Sequence, residues 1–493
     1  MTKKLTKSIL DILLTLSFLY FFYLLKKVNL ISMNNYLLIF FISFSISCLS
    51  LMLAHDPKKM KKIIGIILCF AMIFANSIGA YYLNTSNSFI DSISNSSDKQ
   101  KVTVSLYVLK HSPLQKISDL EGESIGYLKT DHTDSMTDTV FHHLKTKDNS
   151  FSRSSYTSSV QLVNDFLGQK TDCMLINNAK LSSLEELDGR SNIRSLIRPI
   201  YTYTYYKKID RKTSSNTDVT HSPFTVLISG SDSRGSIDEI SRSDVNMLVT
   251  VNPKTHIILM TSIPRDYYVS TACDVTDGCA AGQKDKLTHT GLHGINTTEK
   301  TIESFMGVDI DYNVKVGFNT VTQLVDAMDG IDVYNPQTFT AYDGKTYQQG
   351  MLHLNGDQAL AFSRERYSFA QGDRTRGQNQ MRVLTGIFAK MMDSPSTLIH
   401  YGQIMNLLSD TFHTNMSSKE ISSLIRYQLQ NKSSWTIYTN SLDGQGGTAY
   451  CYELGDNASV VFPDNNSISE AKQNIQAVQI GDIPSAAVKE NVK

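Results

Sequence analysis

Residues 224–266 read FTVLISGSDSRGSIDEISRSDVNMLVTVNPKTHIILMTSIPRD, and this stretch decides the fold. Three segments within it, FTVLISGSD, VNMLVTVN and HIILMTSIP, are apolar and rich in β-branched residues. A strand covered on both faces needs no polar alternation, so these runs have the length and composition of buried strands. Downstream, apolar positions spaced by three and four residues predict helices over 296–306, 321–328, 356–366 and 380–392. Strands alternating with helices imply an α/β fold, an α/β/α sandwich whose functional groups gather where the strands end.

Working outward, the 493 residues exceed one ordinary domain. Three apolar runs, at residues 8–25, 36–54 and 63–83, each approach the ~20 residues needed to cross a hydrocarbon core. They are expected as three retained transmembrane helices within 1–83, because no small-residue cleavage site follows the first run and two more spans come after it. Lys3, Lys4 and Lys7 precede the first run and Lys58, Lys59, Lys61 and Lys62 precede the third, against Lys26 and Lys27 alone in the other loop. The basic excess places the N-terminus and the second loop in the cytoplasm, and everything after about Leu83 outside.

The expected organisation beyond the membrane is a polar linker at 84–100, an accessory α/β domain at 101–211 and a catalytic domain at 222–395. A C-terminal extension at 396–480 follows, with a hairpin near 443–452, and a loose polar tail at 481–493. Forty-seven basic and 47 acidic side chains cancel, so no global field favours nucleic acid, and any charge-based function is local. Cys48 and Cys69 fall inside apolar runs and read as small hydrophobes. Outside them, Cys273 and Cys279 are close enough to close a small disulfide loop in an oxidising compartment, while Cys173 and Cys451 either pair or stay free.

Charged groups recur at the predicted element ends: Asp232-Ser233-Arg234, Arg242-Ser243-Asp244, Pro264-Arg265-Asp266, then Arg364 with Arg366, then Asp373-Arg374-Thr375-Arg376 with Gln378 and Gln380. Arginine suits a pyrophosphate, because its planar fork donates two parallel hydrogen bonds and stays charged. Interspersed carboxylates suit a hard cation, so Asp232 and Asp244 are the candidate ligands for Mg2+, with Mn2+ as the alternative ion. Neither has a lysine or arginine four residues on to absorb its charge. Surface ion pairing explains any one group alone; five groups within about 150 residues point to a site.

The motifs SGSDSRG, RSDVNMLVTVNPKTHIILMTSIPRDYYV, KLTHTGLHG, IESFMGVDIDYNVKVGF, LVDAMDGIDV, LNGDQALAFSRER and GDRTRGQNQ together resemble the LytR-CpsA-Psr family, and within it the capsule-associated CpsA-like proteins of streptococci. The resemblance covers about Thr225 to Lys390. It implies a membrane-anchored extracytoplasmic phosphotransferase that moves a glycopolymer, capsular polysaccharide in that subgroup, from a polyprenyl-pyrophosphate carrier to a peptidoglycan acceptor. Carried over, Asp232 and Asp244 match metal positions; Arg242, Arg265, Arg364, Arg366, Arg376 and Gln380 match positions around the pyrophosphate; Asp373 matches a supporting acid. Many relatives space the last motif differently, so Arg374 and Arg376, and Gln378 and Gln380, exchange roles in the alternative alignment.

For the reaction, Arg265 is expected to stabilise developing charge, and Asp266, Asp373 or a metal-bound oxygen to take the acceptor's proton. A polyprenyl chain needs a dry groove, for which Val314, Val316, Phe318, Val321, Leu324, Val325, Phe362 and Phe388 are candidates, although most such residues serve as ordinary core. The same residues fit two other readings, a signalling protein of capsule synthesis that binds polyprenyl-phosphate lipid and a pyrophosphatase acting on that lipid. The cytoplasmic parts expected from the topology are too short for a helix-turn-helix.

Overall fold

In the computed structural model, which describes residues 2–94, 99–129, 134–145, 150–185, 187, 192–208, 217–231, 237–274, 278–393, 412–431 and 434–490, the three apolar runs form strands Phe224–Ser231, Val245–Asn252 and Ile257–Ile263. They pair antiparallel in chain order at the centre of a seven-stranded sheet. Tyr312–Gly317 adds in parallel beside the first, and Thr436–Ser441 in parallel beside the third. Short antiparallel strands, Phe412–Thr414 and Val488–Lys489, flank the sheet.

Because side chains alternate along a strand, each strand feeds both faces. On one face Leu227, Leu248 and Leu259 pack with Ile302 and Met306 of helix Ile295–Met306 and with Ile475 and Val478 of helix Asn465–Ile480. On the other, Val226, Met247, Val249 and Met260 meet Met381 of helix Asp373–Asp393, with Ile421 and Leu424 of helix Ser418–Asn431 beside them. Helices therefore cover both faces, giving the α/β/α sandwich. The pairing directions bring the ends of 224–231, 257–263, 312–317 and 436–441, and the start of 245–252, to one edge of the sheet.

Residues 99–208 build a second sheet, in the order Ser152–Tyr156, Ser124–Leu128, Cys173–Asn177, Lys99–Leu109, Ile197–Lys208. Its helix Ser159–Leu167 and strand Cys173–Asn177 share an apolar cluster with Cys451, Leu454, Ala458 and Val460. These last residues belong to a hairpin, Gly444–Cys451 paired with Asp456–Pro463. The hairpin is longer than the one expected near 443–452. Cys173 and Cys451 are free and buried, and burial pushes each thiol up to about 12. Cys273 and Cys279 form a disulfide.

At the N-terminus, among the described residues, helices Thr2–Val28, Met33–Ala54 and Lys59–Ser94 are long and apolar enough to cross a membrane. Two polar groups in these spans satisfy each other, Asn76 Nδ2 donating to Ser17 Oγ at 3.4 Å, as a medium without water requires.

Three expectations change. The linker expected from residue 84 is helical as far as Ser94, because its few apolar residues find a surface to pack on. The tail expected to be loose from 481 is tied down to 490: Val488–Lys489 pairs with Thr439 and Tyr438, and the Glu490 amide donates to the Ile437 carbonyl. Backbone pairing at a sheet edge needs no apolar side chains, so composition did not signal it. Helix Asp373–Asp393 begins seven residues before the expected start at 380, since its first two turns are polar and lack a periodic apolar signal.

Candidate active site

The shared sheet edge carries the first two described charged groups. Arg242, Asp244 and Arg265 are all buried. Arg265 Nη1 donates to Asp244 Oδ1 at 2.6 Å, and Arg242 Nη2 approaches Asp244 Oδ2 at 3.5 Å. Burial alone would raise the Asp244 carboxyl. The guanidiniums of Arg242 and Arg265, the hydrogen bond from Arg265 and the charge of Arg376 outweigh it, holding the carboxyl well below the usual carboxylate range. Asp266 continues the chain of charges, with Arg265 Nε at 3.7 Å and Lys286 Nζ at 3.2 Å.

Helix Asp373–Asp393 adds the opposite wall. Asp373, Arg376, Gly377 and Gln380 lie at i, i+3, i+4 and i+7, hence on one face. Gly377 identifies the direction of that face, because an added Cβ would lie 2.3 Å from Ser262 Oγ. A larger residue there would force the Ser262 hydroxyl aside, so glycine suits the close approach of the helix to strand 257–263. Arg376 pairs with Asp373. Its guanidinium is pushed down by burial and by the charges of Arg265 and Arg366, against the pull of Asp373 and Asp244. Gln380 is half-buried on the same face. Arg374 turns elsewhere, Nη1 donating to Asp443 Oδ2 at 2.7 Å. The structure thus groups Arg376 and Gln380, and separates Arg374.

Arg364 is the last residue of helix Gly356–Arg364, and Glu365 breaks it with an extended backbone (φ −64°, ψ 131°). The two arginines splay apart as a result. Arg364 lies 5.0 Å over the Phe318 ring, next to the end of strand 312–317, and Arg366 donates to the Tyr367 hydroxyl at 2.6 Å while stacking on that ring at 4.7 Å. Of the candidate lining residues, Val325 and Phe362 are core, whereas Val316 of strand 312–317 and Phe388 of helix 373–393 are partly buried in the cluster between sheet and helix.

Asp232 lies outside the described residues. Asp244 is not the free carboxylate that its sequence neighbours suggested: its charge is absorbed by guanidiniums brought from the same loop and from the turn after strand 257–263. Thr288 Oγ1 also donates to Oδ1, at 3.0 Å, which leaves Oδ2, with one long contact, as the oxygen able to take a cation. A single carboxylate oxygen is a usual protein share of a Mg2+ shell completed by phosphates and water, so Asp244 fits that role. No cluster of three or more metal-ligating side chains occurs among the described residues.

Sequence reasoning assigned no role to the segment that positions this site, Lys284–His293. The Ser243 amide donates to the Thr288 carbonyl at 3.0 Å and the Thr288 amide to the Arg265 carbonyl at 2.8 Å, so Thr288 ties both strand ends together. Gly291 packs where a Cβ would sit 2.5 Å from the Ser243 nitrogen and 2.6 Å from the Ser241 oxygen. Lys315 was missed as well: its Nζ donates to the Glu239 carbonyl at 2.7 Å, bracing the loop before Arg242, and burial there pushes its ammonium down to about 8 against the pull of Asp238 and Glu239. A threonine and a glycine inside a motif, and a lysine in an apolar strand, were the available signals.

The family model of the LytR_cpsA_psr family matches residues 200–477. The chain belongs to this family. Among curated relatives it is 35% identical over 200 residues to the polyisoprenyl-teichoic acid–peptidoglycan teichoic acid transferase TagU of Bacillus anthracis, covering 40% of this chain and 62% of that relative. The TagU of Bacillus licheniformis is 34% identical over 209 residues, 42% of this chain and 65% of that one. The chain thus spans less than two thirds of these relatives' length. Among solved structures, B. subtilis TagU is 28% identical over 52% of this chain and 97% of that chain, with a TM-score of 0.40. TagT bound to LI-WTA is 26% identical over 55% and 97%, with a TM-score of 0.43.

Proposed function

We propose that this protein is a membrane-anchored transferase that moves a glycopolymer, capsular polysaccharide in the narrowest form of the reading, from a polyprenyl-pyrophosphate carrier to peptidoglycan on the outer side of the membrane. The observation that carries it is the convergence of Arg242, Arg265 and Arg376 around one buried carboxylate where the strands end. Among the described residues Arg242, Arg265, Arg376 and Lys286 face Asp244, Asp266 and Asp373 there, and several guanidinium forks gathered at one place suit a diphosphate. The name of the TagU relatives supports the same class of reaction.

In this reading the pyrophosphate lies between Arg242 and Arg265 on the sheet edge and Arg376 and Gln380 on the helix, with Arg364 and Arg366 closing from the side. An acceptor hydroxyl attacks the phosphorus nearest the polymer sugar. The new P–O bond forms as the bond to the lipid phosphate breaks, so polyprenyl phosphate leaves with both bonding electrons. Asp266 or Asp373 takes the hydroxyl proton, and Arg265 stabilises charge that grows on the phosphoryl oxygens. Mg2+, when held by Asp244 Oδ2 and the phosphates, would supply further neutralisation of the diphosphate.

The test is polymer transfer from a purified lipid-linked donor to a glycan acceptor by Arg265→Lys, Arg364→Lys and Arg366→Lys variants, with melting temperature measured in parallel. Lysine keeps the charge and loses the fork. Loss of one charge-assisted hydrogen bond, about 1.5 to 3 kcal/mol, lowers the rate roughly ten- to a hundredfold if it acts in the transition state. Parental rates in all three variants would overturn the clamp. Release of polymer phosphate into water with no acceptor adduct would mark a pyrophosphatase instead.

A further inference from the structure

The third long helix, Lys59–Ser94, does not end where its apolar stretch does. Beyond residue 83 it continues for about 16 Å at the α-helical rise, and this extension docks on the enzyme unit. Ile90 is 3% exposed and packs with Phe412, Ile421 and Ile425. Next to it, Asp91 Oδ1 accepts from Ser418 Oγ across the contact at 3.2 Å, and Asp91 Oδ2 accepts from Asn87 Nδ2 within the helix at 2.8 Å. The contact is apolar at its centre and hydrogen-bonded at its rim, so it fixes the helix rather than grazing it.

What the extension touches gives the contact its meaning. Phe412 and Ile421 also belong to the apolar cluster between the sheet and its helices, with Ile228 and Val316 from the strands and Leu384 and Phe388 from helix 373–393, all of them only partly buried. Phe412 pairs directly with Val316 across the strands. A continuous apolar path therefore runs from the helix at Ile90, through Phe412, to Val316 and the sheet edge where the arginines gather. A helix with no break between membrane and docking contact transmits position as a rigid rod, whereas a polar linker would let the unit drift.

We propose that residues 84–94 form a rigid strut that holds this apolar path at the bilayer surface and guides the donor's polyprenyl chain from the membrane to the site. The inference rests on the transferase reading for the identity of the lipid, and its physical basis is the docking itself. A long apolar chain leaving a bilayer into water is costly for every CH2 exposed, so an entry held against the membrane selects for long-chain donors, and a short, water-soluble donor has no need of it.

The experiment uses the full chain in proteoliposomes with two pyrophosphate-linked donors, one on a long polyprenyl chain in the bilayer and one on a short, soluble geranyl chain. Ile90→Glu undocks the strut. Transfer from the long-chain donor is expected to fall about tenfold or more, with the geranyl donor used at the parental rate. Equal rates with both donors, or equal losses with both, overturn the inference. If the parental chain transfers from neither donor, the transferase reading fails separately. A second readout then decides the strut: a polyprenyl phosphate with a photoactivatable terminal unit, placed in the same vesicles. Labelling of peptides containing Val316 or Phe412 in the parental chain, and its loss in Ile90→Glu, supports the inference; no labelling there in the parental chain overturns it.

Discussion

Asp244 receives hydrogen bonds from Arg265 and Thr288 and faces Arg242, all from inside the protein. Its carboxyl is held below the ordinary value, so its contribution to stability is present above the unfolded-state value of about 3.9 and is lost as pH falls through the lower folded value. Acid unfolding of the detergent-solubilised chain should therefore steepen below about pH 4, and Asp244→Asn should flatten that limb. At neutral pH the same variant leaves two buried guanidiniums without their anion, at a cost of about 3 to 5 kcal/mol. Urea unfolding at pH 7 and at pH 3 reads both effects; an Asn variant as stable as the parent at pH 7 would show that the pairing contributes nothing. The structure thus predicts a role in stability for a residue that the sequence offered only as a candidate metal ligand.

At the scale of elements, the site is a junction of strand ends fastened by the segment Lys284–His293. Gly291→Ala places a methyl 2.5 Å from a backbone nitrogen in the loop before strand 245–252, and overpacking of this kind costs about 1 to 3 kcal/mol. The loop that must move carries Arg242, so donor turnover is expected to fall further than the melting temperature alone would suggest. A variant with parental turnover and a lowered melting temperature would mean that the glycine serves packing only. The junction was partly legible in sequence. Arg265-Asp266 follows its strand immediately, and the end of 257–263 could be read from apolar composition. That Thr288 lies against Asp244, 44 residues away, could not, because its segment is a 3-10 turn, Leu287–His293, without a periodic signal.

Across the whole molecule, the accessory sheet is joined to the seven-stranded-sheet unit by a part-buried ionic centre as well as by apolar packing. Glu453 accepts from Lys180 Nζ at 2.7 Å and contacts His293 Nε2 at 2.5 Å. Burial would raise its carboxyl, but Lys180 and His293 hold it far below the usual range. Glu453→Gln should cost about 3 kcal/mol at neutral pH and loosen the accessory unit first. Limited proteolysis of the variant should then release a fragment containing residues 99–208, with the seven-stranded-sheet unit still folded; a cleavage pattern like the parent's would contradict this. The basic residues flanking the apolar helices make a second prediction at this scale: a reporter active only in the cytoplasm, fused at the C-terminus, should be silent.

The sequence by itself determined what local composition and spacing encode: three helices apolar enough for a membrane, strands buried on both faces, helices between them, and arginines placed at element ends. Each follows from a repeat read over a few neighbouring residues. Tertiary structure decided which of those residues meet. Asp244 finds Arg265 because strands 245–252 and 257–263 lie side by side and antiparallel, and Arg376 rather than Arg374 faces the sheet because Gly377 lets one helix face approach Ser262. The C-terminal residues 436–441 and 488–490 complete the central sheet through backbone hydrogen bonds. Such bonds depend on sheet order and not on side-chain type, so no local pattern announces them.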